Sequence, residues 1–138
     1  MGTRSLTFVY NEHNEPILNL YRQYDGYIAG HGAELAEFLA GKKLVNGFGK
    51  ESTDIANGMG CLAASLVSNF KETVGGFYIH SVTDTQCGQD YEYHVYADKV
   101  IVKGYPETYS LFERGNMVQR FEGSWEMFGK FCRAKVAA

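Results

Sequence analysis

The stretch Asn19 to Gly32, NLYRQYDGYIAGHG, concentrates residue types that can do chemistry: three tyrosines, one arginine, one aspartate, one histidine and three glycines within fourteen positions. Asp25-Gly26 is a turn signal, and Gly30-His31-Gly32 leads into an apolar-periodic segment whose first N–H groups would be open to an anion. With Arg4 brought close by chain pairing, Arg4, Arg22, Tyr24, Asp25, Tyr27 and His31 are a candidate ligand-binding set. Cationic, aromatic and backbone donors together suit a nucleotide or another planar anion. The competing reading is a glycine-rich connection whose tyrosines cover the core edge and whose Arg22 pairs with Asp25. No catalytic signature is present, so catalytic residues are assigned to none of these positions.

A second candidate is His80, Glu92 and His94, which the expected strand pairing places side by side on the sheet face away from the core. Two imidazoles and a carboxylate can hold zinc or another divalent ion, or serve as general acid and base. They can equally form an exposed cross-strand ladder, and no nucleophile stands beside them. Gly47 to Ser52 (GFGKES) fails as a phosphate loop, because the GxxxxGK[ST] spacing is missing and Glu51 occupies the magnesium-binding position. Asn57 to Gly60 (NGMG), opening a helix, is a better anion candidate on physical grounds. Cys61, Cys87 and Cys132 form an odd set without CxxC spacing, which argues against a disulfide framework. Cysteines on apolar-looking helical positions behave as small apolar residues more often than as nucleophiles.

These residues need elements to position them. Ser5 to Tyr10 and Pro16 to Arg22 are rich in β formers around a polar NEHNE turn, and read as a hairpin. A five-residue loop sets Phe8 opposite Leu18, Leu6 opposite Leu20 and Arg4 opposite Arg22, a like-charge pair that wants an anion. Gly32 to Ala40 has the pattern of a short amphipathic helix, Leu44 to Gly58 reads as a long loop with a turn of helix from Ser52, and Met59 to Val74 carries helical spacing ended by Gly75-Gly76. The period then changes to two, and FYIHSVT, YEYHVYA and KVIVKGY form an expected three-stranded meander with Thr83 opposite Tyr91 and Val95 opposite Val100. Thr108 to Glu113 and Met117 to Glu122 suggest a further hairpin. Ser124 caps a final helix striped by Trp125, Phe128 and Cys132. Strand runs separated from helix runs predict one α+β domain over residues 1–138: a mostly antiparallel sheet with two central helices and a carboxyl-terminal helix packed on one face.

Composition narrows the function classes. The 138 residues are 45% hydrophobic and 14% aromatic, with a formal net charge of -3. A single core burying roughly two-thirds of the unfolded surface is expected. The charge and the lack of a basic cluster argue against general nucleic-acid binding. No run approaches the roughly 20 apolar residues of a membrane span, and no amino-terminal leader pattern precedes the first strand. A cytoplasmic protein is the expectation. Tyr78 and Tyr96, outside the expected core face, are candidates for a homo-oligomer interface.

Met1 to Leu6 (MGTRSL), Tyr21 to Tyr27 (YRQYDGY), Gly30 to Gly32, Ala56 to Leu62 (ANGMGCL), Gly75 to Tyr78 and Cys87 to Tyr93 (CGQDYEY) together resemble a group of short proteins of unknown function encoded by tailed bacteriophages, marine and cyanobacterial phages among them. The likeness runs to about Lys103. It implies a phage gene product working in bacterial cytoplasm and brings no biochemical activity or cofactor with it. A more distant set, also opening Met-Gly-Thr-Arg, resembles amino-terminal-nucleophile sandwiches. This chain departs from that set, because removing Met1 would expose Gly2 rather than Cys, Ser or Thr. The favoured expectation is a non-catalytic accessory protein that binds a host or defence protein or a small anionic ligand. The alternative is a small hydrolase or nucleotide-processing enzyme using the His/Glu set, and a virion component is a third reading.

Overall fold

The strand Ser5–Tyr10 (β1) is buried from Ser5 through Val9, on both of its faces. A strand covered on both faces belongs in the middle of a sheet. The computed structural model, which describes residues 2–45, 55–105 and 115–138, places it there. Around it lie Pro16–Arg22 (β2), Phe77–His80 (β5), Tyr91–Val95 (β6), Val100–Gly104 (β7) and Val118–Gly123 (β8), in the order β5-β2-β1-β6-β7-β8. The pairing of β1 with β6 is parallel; the other neighbours are antiparallel. The two short strands Lys43–Val45 (β3) and Ile55–Asn57 (β4) make a separate parallel pair where sequence reading expects loop. The expected helix turn from Ser52, the phosphate-loop look-alike and the Thr108 to Glu113 strand lie outside the described residues.

Two expectations about pairing are corrected. The β1–β2 hairpin forms, but Val9 pairs with Leu18, Thr7 with Leu20 and Ser5 with Arg22, and a bulge sits between Val9 and Tyr10. A slip of one residue turns every side chain to the other face, so Arg4 does not stand opposite Arg22. The meander also fails. Strand β5 pairs with β2, with Asn19 opposite His80, while β6 pairs with β1. Two strands therefore separate His80 from His94. The expected pairing of Val95 with Val100 is observed.

Residues 81–90 connect two parallel strands at different places in the sheet, and so must cross over β2 and β1. They do so on the face opposite the helices. Asn19, whose neighbours Leu18 and Leu20 belong to the core, turns its amide to this second face and donates to the carbonyls of Ser81 and Asp84 at 3.0 and 2.8 Å. The helix face is covered by Ala33–Ala40 (α1), Gly58–Phe70 (α2) and Trp125–Ala137 (α3). Leu35, Phe38 and Leu39 of α1, Met59, Leu62, Leu66 and Phe70 of α2, and Phe128 and Cys132 of α3 join Val9, Leu20, Tyr93, Val95, Val100 and Val102 in one core cluster. Helix α2 ends at Phe70, short of Val74, which is fully exposed. Ser124 caps α3 as expected, its Oγ accepting from the Met127 N–H at 3.2 Å. The result is a single α+β domain. Among the described residues no helix is long and apolar enough to cross a membrane.

Candidate functional site

The glycine-rich stretch does not simply deliver the chain to α1. Ile28–Gly32 forms a π-helical turn continuous with α1, with the N–H of Gly32 on the Tyr27 carbonyl and that of Ala33 on the carbonyls of Gly30 and Ile28. Donors expected to await an anion at the helix entrance are thus engaged by the backbone itself. The other helix N-terminus is also occupied. The Met59 N–H at the start of α2 donates to Glu12 Oε2 at 2.7 Å, so the anion drawn to NGMG is the chain's own carboxylate. That bond holds the Glu12 carboxyl below its usual range.

The π turn carries His31 into the interior, where it is fully buried against the rings of Phe70 and Tyr93, each 5.0 Å away centroid to centroid. Both ring nitrogens are satisfied. Thr7 Oγ1 on the central strand is 2.7 Å from Nε2, and Arg22 Nη1 is 3.2 Å from Nδ1. A guanidinium only donates, so Nδ1 accepts and Nε2–H donates to Thr7. Burial, with the Arg22 charge adding to it, pushes the His31 pKa down to about 3. His31 is therefore a neutral, orienting group. It holds Arg22, which also donates from Nε to the Tyr24 carbonyl at 2.6 Å, forms an ion pair with Glu34 and lies over the Phe77 ring at 5.0 Å.

Arg22 is then one wall of a cleft of about 540 Å³ between β2, α1 and the end of α2, lined also by Glu34, Glu37, Phe38, Lys42, Asn69, Phe70, Glu72 and Phe77. Of the expected ligand set, the structure brings Arg22 and His31 together. Tyr24 contributes its carbonyl, while its ring is exposed and packs beside Gly2. Asp25 is exposed, takes a φ of 61° and gives its carbonyl to the His31 N–H; the carboxylate on Arg22 is that of Glu34 instead. Arg4 and Tyr27 belong elsewhere. The Arg4 N–H donates to Asp90 Oδ2 at 3.0 Å, and Tyr27 lines a separate hollow with Thr3, Asp90, Tyr91 and Tyr105.

The chain matches no family model, no curated protein and no solved structure. The function must be read from geometry.

The proposed metal set of His80, Glu92 and His94 is not assembled. His94 stacks on Phe8 and is held between Tyr10 Oη, 2.6 Å from Nδ1, and Glu92 Oε1, 2.9 Å from Nε2. Gln89 donates to the other Glu92 oxygen at 3.0 Å. Burial pushes the Glu92 carboxyl up, but these hydrogen bonds outweigh it and hold it below its ordinary range. Tyr10, stacked on Tyr96 at 4.2 Å, has its hydroxyl pushed well up by burial and by Tyr96. This is a satisfied chain that fastens the crossover to β6. His80 instead meets Asp84 and Cys87: its Nδ1 is 3.3 Å from Asp84 Oδ2 and 3.4 Å from Cys87 Sγ. The His80 contact holds the Asp84 carboxyl low, while burial and the Asp84 charge push the Cys87 thiol up. The spacing His-x3-Asp-x2-Cys just beyond a strand was the signal available in sequence for this cluster. Cys61 is exposed and Cys132 buried, with its thiol pushed up to about 12 by burial.

Proposed function

We propose that the chain is a phage accessory protein that acts in the cytoplasm of a bacterial host by binding rather than by catalysis, with the Arg22 cleft as its contact surface and a segment of a host or defence protein as its occupant. The observation that carries this reading is that the Arg22 guanidinium is already matched by Glu34 and fixed by His31. A small anion would have to displace Glu34 and would meet Glu37 and Glu72 on the same rim. A polypeptide bearing basic and apolar side chains suits a cleft in which Glu34, Glu37 and Glu72 outnumber Arg22 and Lys42 and which the Phe38, Phe70 and Phe77 rings also line. The catalytic alternative finds less support, because His31 is sealed and neutral and the expected His80, Glu92 and His94 set is divided across the sheet.

The test replaces Asn69, which lines the cleft and is not one of the partners in the Arg22–His31 contact, with a photo-crosslinking phenylalanine analogue in cells infected with the source phage. A discrete protein adduct that disappears in Glu37→Lys and Glu72→Lys backgrounds is the expected result. No adduct at Asn69, or one indifferent to both charge reversals, overturns the reading. A small anion retained in native mass spectrometry would replace the protein occupant with a small ligand.

A further inference from the structure

Histidine, aspartate and cysteine side chains come together beside the edge strand, and hydrogen bonds tie the elements that bring them there. His80 ends β5 and is paired with Asn19 of β2; Asp84 and Cys87 sit in the crossover, which Asn19 pins through the Ser81 and Asp84 carbonyls. The ligand atoms of the three all lie within 4.8 Å of one another.

The arrangement does not suit a nucleophile–base–orienter relay. Such a relay needs the thiol and the carboxylate on opposite nitrogens of the imidazole. Here both face Nδ1, at 3.4 and 3.3 Å. A single nitrogen carries at most one proton, so it can serve only one of these neighbours at a time. The distances fit another role. With zinc bonds of about 2.0–2.1 Å to nitrogen, 2.0–2.2 Å to oxygen and 2.3 Å to sulfur, tetrahedral angles put nitrogen roughly 3.4 Å from oxygen and roughly 3.6 Å from sulfur. The observed separations of 3.3 and 3.4 Å lie close to two such edges sharing Nδ1, with all three ligand atoms within 4.8 Å of one another.

We propose that His80 Nδ1, Asp84 Oδ2 and Cys87 Sγ form a three-ligand binding site for a divalent transition-metal ion, zinc by preference, with the fourth position open to solvent. The donor set selects the ion: imidazole and thiolate favour zinc, cobalt or copper, whereas calcium and magnesium require oxygen ligands. The ion has access, since the His80 and Asp84 side chains are 31% and 48% exposed. Binding would lock the crossover to β5 from its outer side, as Asn19 does from within. The site shares no residue with the Arg22 cleft, so its test is independent of the proposed binding function.

The experiment titrates the chelator-treated full chain with cobalt(II), then displaces it with zinc. One cobalt per chain is expected, with a thiolate-to-cobalt charge-transfer band in the near ultraviolet. Cys87→Ser should abolish that band, and His80→Ala and Asp84→Asn should each weaken binding at least about tenfold. Cys61→Ser, at the exposed thiol, and Glu92→Gln should leave the titration unchanged, and circular dichroism verifies that each variant is folded. Absence of the band in the wild-type chain, or its persistence in Cys87→Ser, overturns the proposal, as does displacement of cobalt by calcium or magnesium.

Discussion

Arg22 Nη1 stands 3.2 Å from His31 Nδ1, which fixes the buried imidazole as neutral with its proton on Nε2. Acid stability follows from this. In the unfolded chain the imidazole takes up a proton near pH 6.5; in the native protein it does so only near 3. Between those values the unfolded state binds more protons, so folding weakens as pH falls, by up to about 1.4 kcal/mol per pH unit. Glu12, Asp84 and Glu92, whose carboxyls lie below their usual range, lose their contributions only at lower pH. Urea unfolding at about pH 7 and pH 5 should show wild type and His31→Gln converging by about 2 kcal/mol. A constant gap would mean that His31 is not buried as the neutral base.

Thr7 accepts from that same imidazole at 2.7 Å, within the central strand. Thr7→Val keeps the shape of the side chain but orphans the His31 Nε2–H in the interior, a cost of about 1–3 kcal/mol. Thr7→Ser should recover most of it. Equal losses in the two variants would show that the hydroxyl does not matter and the methyl group does.

Gly26 is pinched between chain segments. An added Cβ would lie 2.8 Å from the Arg4 carbonyl carbon and 2.8 Å from the Ser5 N, both backbone atoms that cannot swing aside. Its carbonyl accepts from the buried Tyr93 Oη at 2.8 Å. Gly26→Ala should therefore cost more than about 3 kcal/mol, against roughly 1 kcal/mol for Tyr93→Phe. If thermal unfolding ranks the two in the opposite order, β1 yields to the Asp25–Gly26 turn more readily than its packing indicates.

Helix α2 draws part of its stability from a residue 47 positions earlier, since Glu12 of the β1–β2 turn caps the Met59 N–H. A carboxylate at a helix amino end opposes the partial positive charge of the unpaired N–H groups. Because its folded pKa is lowered, this contribution is present above the unfolded value and is lost as pH falls through the folded one. Glu12→Gln should lower the melting temperature at neutral pH, and the difference from wild type should close in acid. A difference independent of pH would assign the effect to turn conformation.

How far these residues were legible in sequence depends on how local their causes are. The Ser124 cap, the apolar stripe of α3 and the existence of the first hairpin are set within a few residues, and sequence reading finds them. The register of that hairpin turns on a bulge between Val9 and Tyr10 and an Asn14 at φ 61°, neither of which hydrophobic alternation encodes. Parallel pairing of β1 with β6 joins residues some 86 apart, as Ser5 with Tyr91, and a locally plausible β5–β6 hairpin gives way to it. Sequence marks Arg22 and His31 as candidates but not their partner Glu34, because nothing in the spacing sets Glu34 above Asp25. For Cys87 the spacing to His80 and Asp84 is visible in sequence, but their meeting depends on the path of the crossover.

That path rests on Asn19. Its side chain is fully buried, and Nδ2 donates to both the Ser81 and Asp84 carbonyls. Asn19→Asp is nearly isosteric but turns the double donor into an acceptor facing two carbonyl oxygens. Loss of two buried hydrogen bonds should destabilise the fold by on the order of 3 kcal/mol. The damage should also be local, because β2 keeps its backbone pairing to β1 and β5 while residues 81–90 lose the anchor between them. Hydrogen–deuterium exchange should then accelerate at 81–90 well beyond the change in β1 and β6, and a protease should cut first within that segment. Uniform acceleration across the sheet would instead show that the crossover and the strands beneath it open as one cooperative unit.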